Sequence, residues 1–490
     1  MEPQLFSNAT ILSFGLLIGS VCGLVRNFLI ARYLSVEDFG VAASLAMAMS
    51  LVEMTSNLGT DRFLIQSPNG DDPIVQATAQ TLQVLRGLAS GLLLLLLAWP
   101  IAVLIQAPSA WEAFAWVSLA PVIRGVVHLD IVRYQRDMKF WPILLCEVGP
   151  QLILTLLVTQ LASLAGDYRV MLWMILSQSV MYFVMSHLVA QRRWALGWDR
   201  PLFCSLMRFG VPLLLNGFVM FAIFHGDRLI VGANYTPKIL GWFSVALTLC
   251  FVPSVVLCRI NSAFLLTPLS RIQDESADAT DAINCALRIS LTLASFLAVG
   301  CCLCGPALVT GLYGERYAEA ASMVVLIGFA QAFRVARTGP VTVSISKGDT
   351  RNPLLANLAR ALGLLVAGYL AFKQFRLEML LLTGICAEVL AYLVSLGLCI
   401  RSHQVDATNL IFVCLTPILV SIPLFLLKPF FPGERMVIEL VVGACIAASL
   451  ALALAKLLGV SLDQLKYSQK KLPTDENDPA AELSSTSLTE

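Results

Sequence analysis

The chain reads as an all-α integral membrane protein with about fourteen transmembrane helices. Three observations carry that expectation. Of 490 residues, 58% are hydrophobic and 13% charged, about half the charged share of a soluble domain. The apolar residues gather into runs of the ~20 residues that a helix needs to cross a bilayer. These runs lack the alternation of a barrel strand, which leaves helices as the way to satisfy every backbone amide in lipid.

The first eight runs lie near 10–31, 41–61, 77–105, 111–132, 142–165, 170–190, 205–232 and 239–266. Six more follow near 283–312, 319–345, 352–372, 377–400, 408–427 and 436–459. The first run has no basic segment before it and no convincing cleavage site, so it reads as a retained helix. Basic loops tend to stay cytoplasmic, and the lysines and arginines divide unevenly between alternate connections. Fifteen fall in the set that includes Arg62, Arg133, Arg136, Arg192, Arg193, Lys347 and Lys456, against eight in the set with Arg32, Arg169, Lys238 and Arg316. Both termini are therefore expected on the cytoplasmic side. The tail from Ser461 ends TDENDPAAELSSTSLTE, too poor in apolar residues to fold alone, and reads as disordered.

An internal repeat shows at an offset of 201 residues, where Tyr33-Leu34-Ser35-Val36-Glu37-Asp38-Phe39-Gly40 corresponds to Asn234-Tyr235-Thr236-Pro237-Lys238-Ile239-Leu240-Gly241. Six spans separate equivalent points. An even number preserves orientation, so the repeat implies two six-helix lobes in parallel arrangement.

Net charge is +1, so no basic excess points to nucleic acid. The 13 cysteines lie mostly inside apolar runs and read as soft packing residues. Cys301-Cys302-Leu303-Cys304 has one CxxC spacing but no second pair and no nearby histidine, so no metal site is expected. There is no Walker A, HExxH or GxSxG motif and no plausible Ser/His/Asp set, so no catalytic residue and no cofactor is expected. Without a nucleotide site, any transport must run on an ion gradient, the membrane potential or the substrate's own gradient.

The informative residues are charges inside the spans, each costing ~2.5–3.5 kcal/mol at a helix centre and so placed against protein or water. Ten basic residues lie there, and all are arginines: Arg26, Arg86, Arg124, Arg208, Arg228, Arg259, Arg288, Arg334, Arg337 and Arg360. Five acids, Glu53, Asp130, Glu147, Asp227 and Glu388, sit at similar depth. Guanidinium groups grip phosphate oxygens through paired hydrogen bonds and keep their charge when desolvated. The interior should therefore be cationic and suited to an anion. Arg86, Arg288 and Arg360 read as snorkelling or structurally paired. Arg26 shares one helical face with Gly15, Gly19 and Cys22, a small-residue face that packs on other helices, so it should point inward near the periplasmic end. Gln331, Arg334 and Arg337 share a face of the tenth span, with Pro340 expected to break the helix just beyond.

Arg26 followed by Ala31-Arg32-Tyr33-Leu34-Ser35-Val36-Glu37-Asp38-Phe39-Gly40 resembles the start of the polysaccharide transporter family, the Wzx-type flippases. Asn57-Leu58-Gly59-Thr60 followed by Arg62 is similar to the end of that family's second helix. The resemblance is specific over residues 10–66 and rests on topology thereafter. It implies an N-terminal lobe (1–200), a C-terminal lobe (201–402), two accessory helices (403–460) and the cytoplasmic tail (461–490). It also implies a bacterial inner-membrane flippase that carries an undecaprenyl-pyrophosphate oligosaccharide across by alternating access. Its partners would be that lipid-linked glycan, membrane lipids, and the polysaccharide polymerase and chain-length proteins. Arg26 and Arg259 fall at positions similar to cavity arginines of the lipid II branch of the superfamily. With Arg334 and Arg337 they form the expected pyrophosphate site, in a cavity between the lobes, with Glu53 and Asp227 as coupling acids. A lipid II flippase fits the same chemistry. A multidrug antiporter should line its cavity with acids instead, and a glycan polymerase should carry a large periplasmic catalytic loop.

Overall fold

The computed structural model describes residues 2–137, 139–271, 277–349, 351–403 and 436–457, and every regular element among them is helical. The N-terminal helices are α1 (Glu2–Tyr33), α2 (Val36–Thr55), α3 (Thr60–Gln66), α4 (Pro73–Leu104), α5 (Trp111–Val117), α6 (Leu119–Gly125), α7 (Asp130–Arg136), α8 (Trp141–Ala165) and α9 (Arg169–Val189). The C-terminal helices are α10 (Arg200–Asn234), α11 (Pro237–Arg271), α12 (Ala277–Leu308), α13 (Ala320–Ser346), α14 (Arg351–Phe372), α15 (Leu377–His403) and α16 (Met436–Leu457). Among the described residues ten helices are long and apolar enough to cross a membrane, or eleven if one bent pair counts as a span. Helices α1 and α16, with 32 and 22 residues, also reach the ~20-residue spanning length. The expected span near 408–427 and the tail from 461 lie outside the described residues.

Local chemistry starts and stops these helices where the sequence changes character. Asp72 caps α4 by accepting from the Ile74 amide at 2.8 Å, with Pro73 in the first helical position. Asp199 caps α10 from the Leu202 amide at 2.9 Å, again before a proline. Both use a side-chain oxygen to satisfy an amide that has no intrahelical partner. Ser35 does the same for α2, which carries Glu37 and Asp38 in its first turn, where the helix dipole favours negative charge.

Pro340 does not end α13, which runs on to Ser346. The Thr338 hydroxyl donates to the Val335 carbonyl at 2.6 Å and itself accepts from Asn261 at 2.6 Å. The carbonyl that Pro340 deprives of its helical partner is that of Ala336, and membrane helices tolerate such a proline where neighbouring helices pack around it.

The fourth span is where the structure departs most from a single straight helix. The segment Pro108–Gly125 bends by 58° into Asp130–Arg136. Gly125 and Gly87 approach so closely that a Cβ added to Gly125 would lie 3.0 Å from the Gly87 Cα, so α6 packs on α4 backbone against backbone. The break then frees main-chain groups in an apolar interior, and polar side chains from distant segments take them up. Gln80 donates to the Val127 carbonyl at 2.9 Å and accepts from the Leu129 amide at 3.1 Å, Gln83 donates to the Arg124 carbonyl at 3.2 Å, and Ser186 accepts from the His128 amide at 3.1 Å. Unwound backbone at membrane depth survives only when it is satisfied in this way.

The two motifs related by the 201-residue offset meet each other. A Cβ on Gly40 would clash with the Pro237 carbonyl, and one on Gly241 would clash with the Val36 carbonyl. Applying the offset to the first contact generates the second, since Gly40 maps to Gly241 and Val36 to Pro237. Around this pair Arg316 donates to the Leu34 carbonyl at 2.7 Å and Trp242 donates to the Arg316 carbonyl at 3.1 Å. The ring of Tyr317 meets that of Phe39 edge-on at 6.0 Å. The N-terminal and C-terminal helices are thus closed against each other at the end of α1. Gly40→Ala and Gly241→Ala should each cost about 1–3 kcal/mol, as overpacking against an unyielding neighbour does. Unchanged melting temperatures for both purified variants would contradict this.

Candidate functional site

Helices α10, α11, α13 and α14 surround a cavity of about 550 Å³. Each helix contributes residues at helical spacing: Phe224, His225 and Arg228 from α10; Phe251, Val255, Cys258 and Arg259 from α11; Arg334, Arg337, Thr338 and Val341 from α13; and Pro353 and Asn357 from α14. Intervals of three and four residues place side chains on one face. Four arginines and a histidine line the space, and no carboxylate is among the lining residues.

Neutral groups hold Arg228 and Arg334, and they share the hold on Arg337 with a carboxylate behind the cavity wall. Arg334 sits between the rings of Phe224 and Phe251, 5.4 and 5.3 Å from their centroids, within cation–π range. Arg228 donates to the Thr248 hydroxyl at 2.8 Å, while its buried Nε has no partner. Arg337 donates to the Asn357 amide oxygen at 2.9 Å. His225 stacks on Phe221 at 5.2 Å with a buried, unpartnered Nδ1. At Arg228 and Arg334 positive charge is therefore fixed in place with no ion pair among the described residues to neutralise it.

Behind the wall lies an ion-pair network. Glu388, 2% exposed, stands 3.7 Å from Arg337 and 2.5 Å from Arg360. Arg360 also reaches Asp227 at 3.5 Å and the Ile223 carbonyl at 2.6 Å. The network ties together α10, α13, α14 and α15, and Arg337 is the member that also faces the cavity. The structural pairing expected of Arg360 is what the structure shows.

The expected site residues separate into two groups. Arg259, Arg334 and Arg337 meet around the C-terminal cavity, joined by Arg228 and His225, whereas Arg26 does not line it. Its helix packs as the small-residue face demands, with Gly15 against Leu144 and Gly19 against Gln151 of α8. That packing turns Arg26 toward α9, where it donates to the Gln178 amide oxygen at 3.1 Å. Arg26 thus faces protein among the N-terminal helices, apart from the residues that line the C-terminal cavity. The proposed coupling acids are both paired, Glu53 with Arg124 and Asp227 with Arg360.

The second cavity, about 360 Å³, is lined by Asn57, Thr60, Asp61, Gln83, Arg86, Arg124, Glu147, Gln151, Gln178 and Tyr182 among others. Gly59, at φ +62°, ends the second span in a left-handed turn that presents Thr60 and Asp61 to it. Arg86, expected to snorkel or to be structurally paired, is among the residues lining this cavity.

A family model described as polysaccharide biosynthesis protein matches residues 29–322. The chain belongs to that family. No curated protein matches it significantly. Among solved structures it is similar to a lipid II flippase MurJ in an inward closed conformation, with TM-score 0.72, 14% identity, and coverage of 92% of this chain and 99% of that one. It is also similar to an inward-facing MATE family multidrug resistance transporter of the MOP superfamily, with TM-score 0.57, 12% identity, and coverage of 78% and 95%. The eukaryotic MATE transporter AtDTX14 aligns with TM-score 0.52 and 17% identity over 81% and 96%. At these identities the likeness is one of fold, and it places this member of the polysaccharide biosynthesis family among multi-pass helical membrane proteins.

Proposed function

We propose that the protein is a flippase that moves an undecaprenyl-pyrophosphate-linked oligosaccharide across the bacterial inner membrane by alternating access. The observation that carries this reading is the C-terminal cavity, where Arg228, Arg259, Arg334 and Arg337 meet without a lining carboxylate. Pyrophosphate cannot enter a ~30 Å hydrocarbon core without replacement of its water. Arginines supply that replacement by paired hydrogen bonds, while the polyprenyl tail remains in lipid. A multidrug antiporter for cationic drugs is disfavoured by the same four arginines. A lipid II flippase shares the pyrophosphate chemistry and is the second reading.

Under this proposal the chain forms two six-helix lobes, 1–200 and 201–402, with accessory helices at 403–460, and the contacts of Gly40 and Gly241 support a two-fold relation between the lobes. Rocking of the lobes about that contact then exposes the cavities to either side in turn. Glu53 and Asp227 remain the proposed coupling acids, since protonating either one removes an arginine's partner. Both termini are assigned to the cytoplasm. Cysteines placed at 136 and 193 should resist a membrane-impermeant thiol reagent in intact cells, and labelling of either would reverse the orientation.

The functional test is complementation of a flippase-null strain, with membrane abundance measured alongside. Arg259→Ala and Arg334→Ala should each abolish surface polysaccharide. Arg334→Lys should restore only part of it, because the charge remains and the planar fork is lost. Full activity of both alanine variants at normal abundance would return these arginines to a structural role.

A further inference from the structure

We propose that the N-terminal cavity, among α4, α6, α7, α8, α9 and the turn before α3, is a binding site for an uncharged sugar residue. This rests on the flippase reading and divides the work of holding the substrate, with pyrophosphate at the C-terminal cavity and a unit of the glycan here.

Charge is the first argument. The C-terminal cavity is lined by arginines alone among charged groups, whereas here Asp61 and Glu147 face Arg86 and Arg124. The lining carries two charges of each sign, and Arg124 has Glu53 as a further counter-ion. An anion entering it meets two carboxylates and a cation meets two guanidiniums, so neither gains what it would gain at a site of one sign. A neutral ligand with many hydroxyls can use both, donating to the carboxylates and accepting from the guanidiniums.

Hydrogen-bonding capacity is the second. The side-chain amides of Asn57, Gln83, Gln151 and Gln178, together with Tyr182, add to those four charges. The buried Gln151 Oε1 has no partner, a state that costs ~1–3 kcal/mol and that a ligand hydroxyl would relieve. It is the oxygen that faces Gly19, where a Cβ would come within 2.9 Å. The glycine leaves it room.

Size and wetness complete the case. The volume, about 360 Å³, falls within the ~300–1,000 Å³ of small-molecule sites, and a cation site must instead gather its oxygens to ~2.3–2.6 Å. Among the described residues no three acids, cysteines or histidines converge in that way. Glu147 is exposed in the second turn of α8 and Asp61 at the start of α3, and a carboxylate within a membrane-spanning segment faces water or protein rather than lipid.

The test uses purified protein in detergent and soluble probes. Saturation-transfer NMR would be recorded with N-acetylglucosamine, N-acetylgalactosamine, glucose and galactose in turn, and phosphorus line broadening with inorganic pyrophosphate. At least one saccharide should show transfer that falls at least fivefold in Gln151→Leu and in Glu147→Gln and persists in Arg334→Ala. Pyrophosphate broadening should show the reverse pattern, and its retention in the two N-terminal variants certifies that they are folded. No transfer to any of the four sugars, or transfer that survives both N-terminal variants, overturns the sugar site. So does a response of this cavity to sodium or pH in place of sugar. Loss of pyrophosphate binding by the wild type alone would sink the anion reading and leave the sugar site standing.

Discussion

Glu388→Ala should destabilise the protein by about 3–5 kcal/mol, the cost of removing one partner from a buried ion pair. Glu388 is the shared counter-ion of Arg337 and Arg360, and these are only 8% and 6% exposed. Deleting the carboxylate leaves two guanidiniums in an apolar interior with Asp227 as the remaining acid. Glu388→Gln keeps the volume and a hydrogen-bond acceptor, so it should lose less. The ordering is measured by thermal unfolding in detergent, with wild type above Glu388→Gln above Glu388→Ala. Equal stability of all three would show that the network bears no structural load. The consequence for function follows from Arg337, which Glu388 positions at the cavity wall. Glu388→Gln should therefore also change the affinity for pyrophosphate, a readout that a purely structural residue would not move.

Arg334→Ala should loosen pyrophosphate binding by about 10- to 100-fold, because each hydrogen bond to a charged group contributes ~1.5–3 kcal/mol. Arg334 is the strongest candidate for a direct contact. It has no carboxylate partner among the described residues, and the faces of Phe224 and Phe251 hold its plane in position. Arg334→Lys keeps the charge but loses the fork, so it should fall between wild type and alanine. Isothermal titration with pyrophosphate measures the order, and an Arg334→Ala protein that binds like wild type would remove this residue from the site.

Much of the architecture was legible from hydropathy, because a spanning helix declares itself by length and by the absence of charge. What escaped is instructive. The break in the fourth span depends on Gln80, Gln83 and Ser186, far away in sequence, to satisfy the opened backbone, and no local pattern reports such partners. Pro340 looked like a terminator, yet α13 continues through it to Ser346, as membrane helices packed against neighbours can. The site shows the same division. In-span arginines were visible as charges where charge is costly, and Arg334 and Arg337 were visibly on one face. How the arginines would group was not, because Arg26 takes its direction from the packing of α1 on α8. His225 passed as a scattered histidine, though its place three residues before Arg228 put both on one helical face. The N-terminal cavity was hidden because Gln83, Gln151 and Gln178 come from three separate helices, and their convergence is set by packing rather than by any local pattern.

The central claim is that arginines of the C-terminal cavity carry the pyrophosphate of a lipid-linked glycan through the membrane. Its most direct measurement is the amount of lipid-linked oligosaccharide held in the inner membrane, and of polysaccharide at the surface, after deletion of the chromosomal copy and complementation with an Arg259→Ala/Arg334→Ala double variant. The account predicts that the deletion strain and the double variant both accumulate the lipid-linked form and lose surface polysaccharide, while the wild-type copy reverses both. A double variant that restores surface polysaccharide to the wild-type level, at equal membrane abundance, would contradict it.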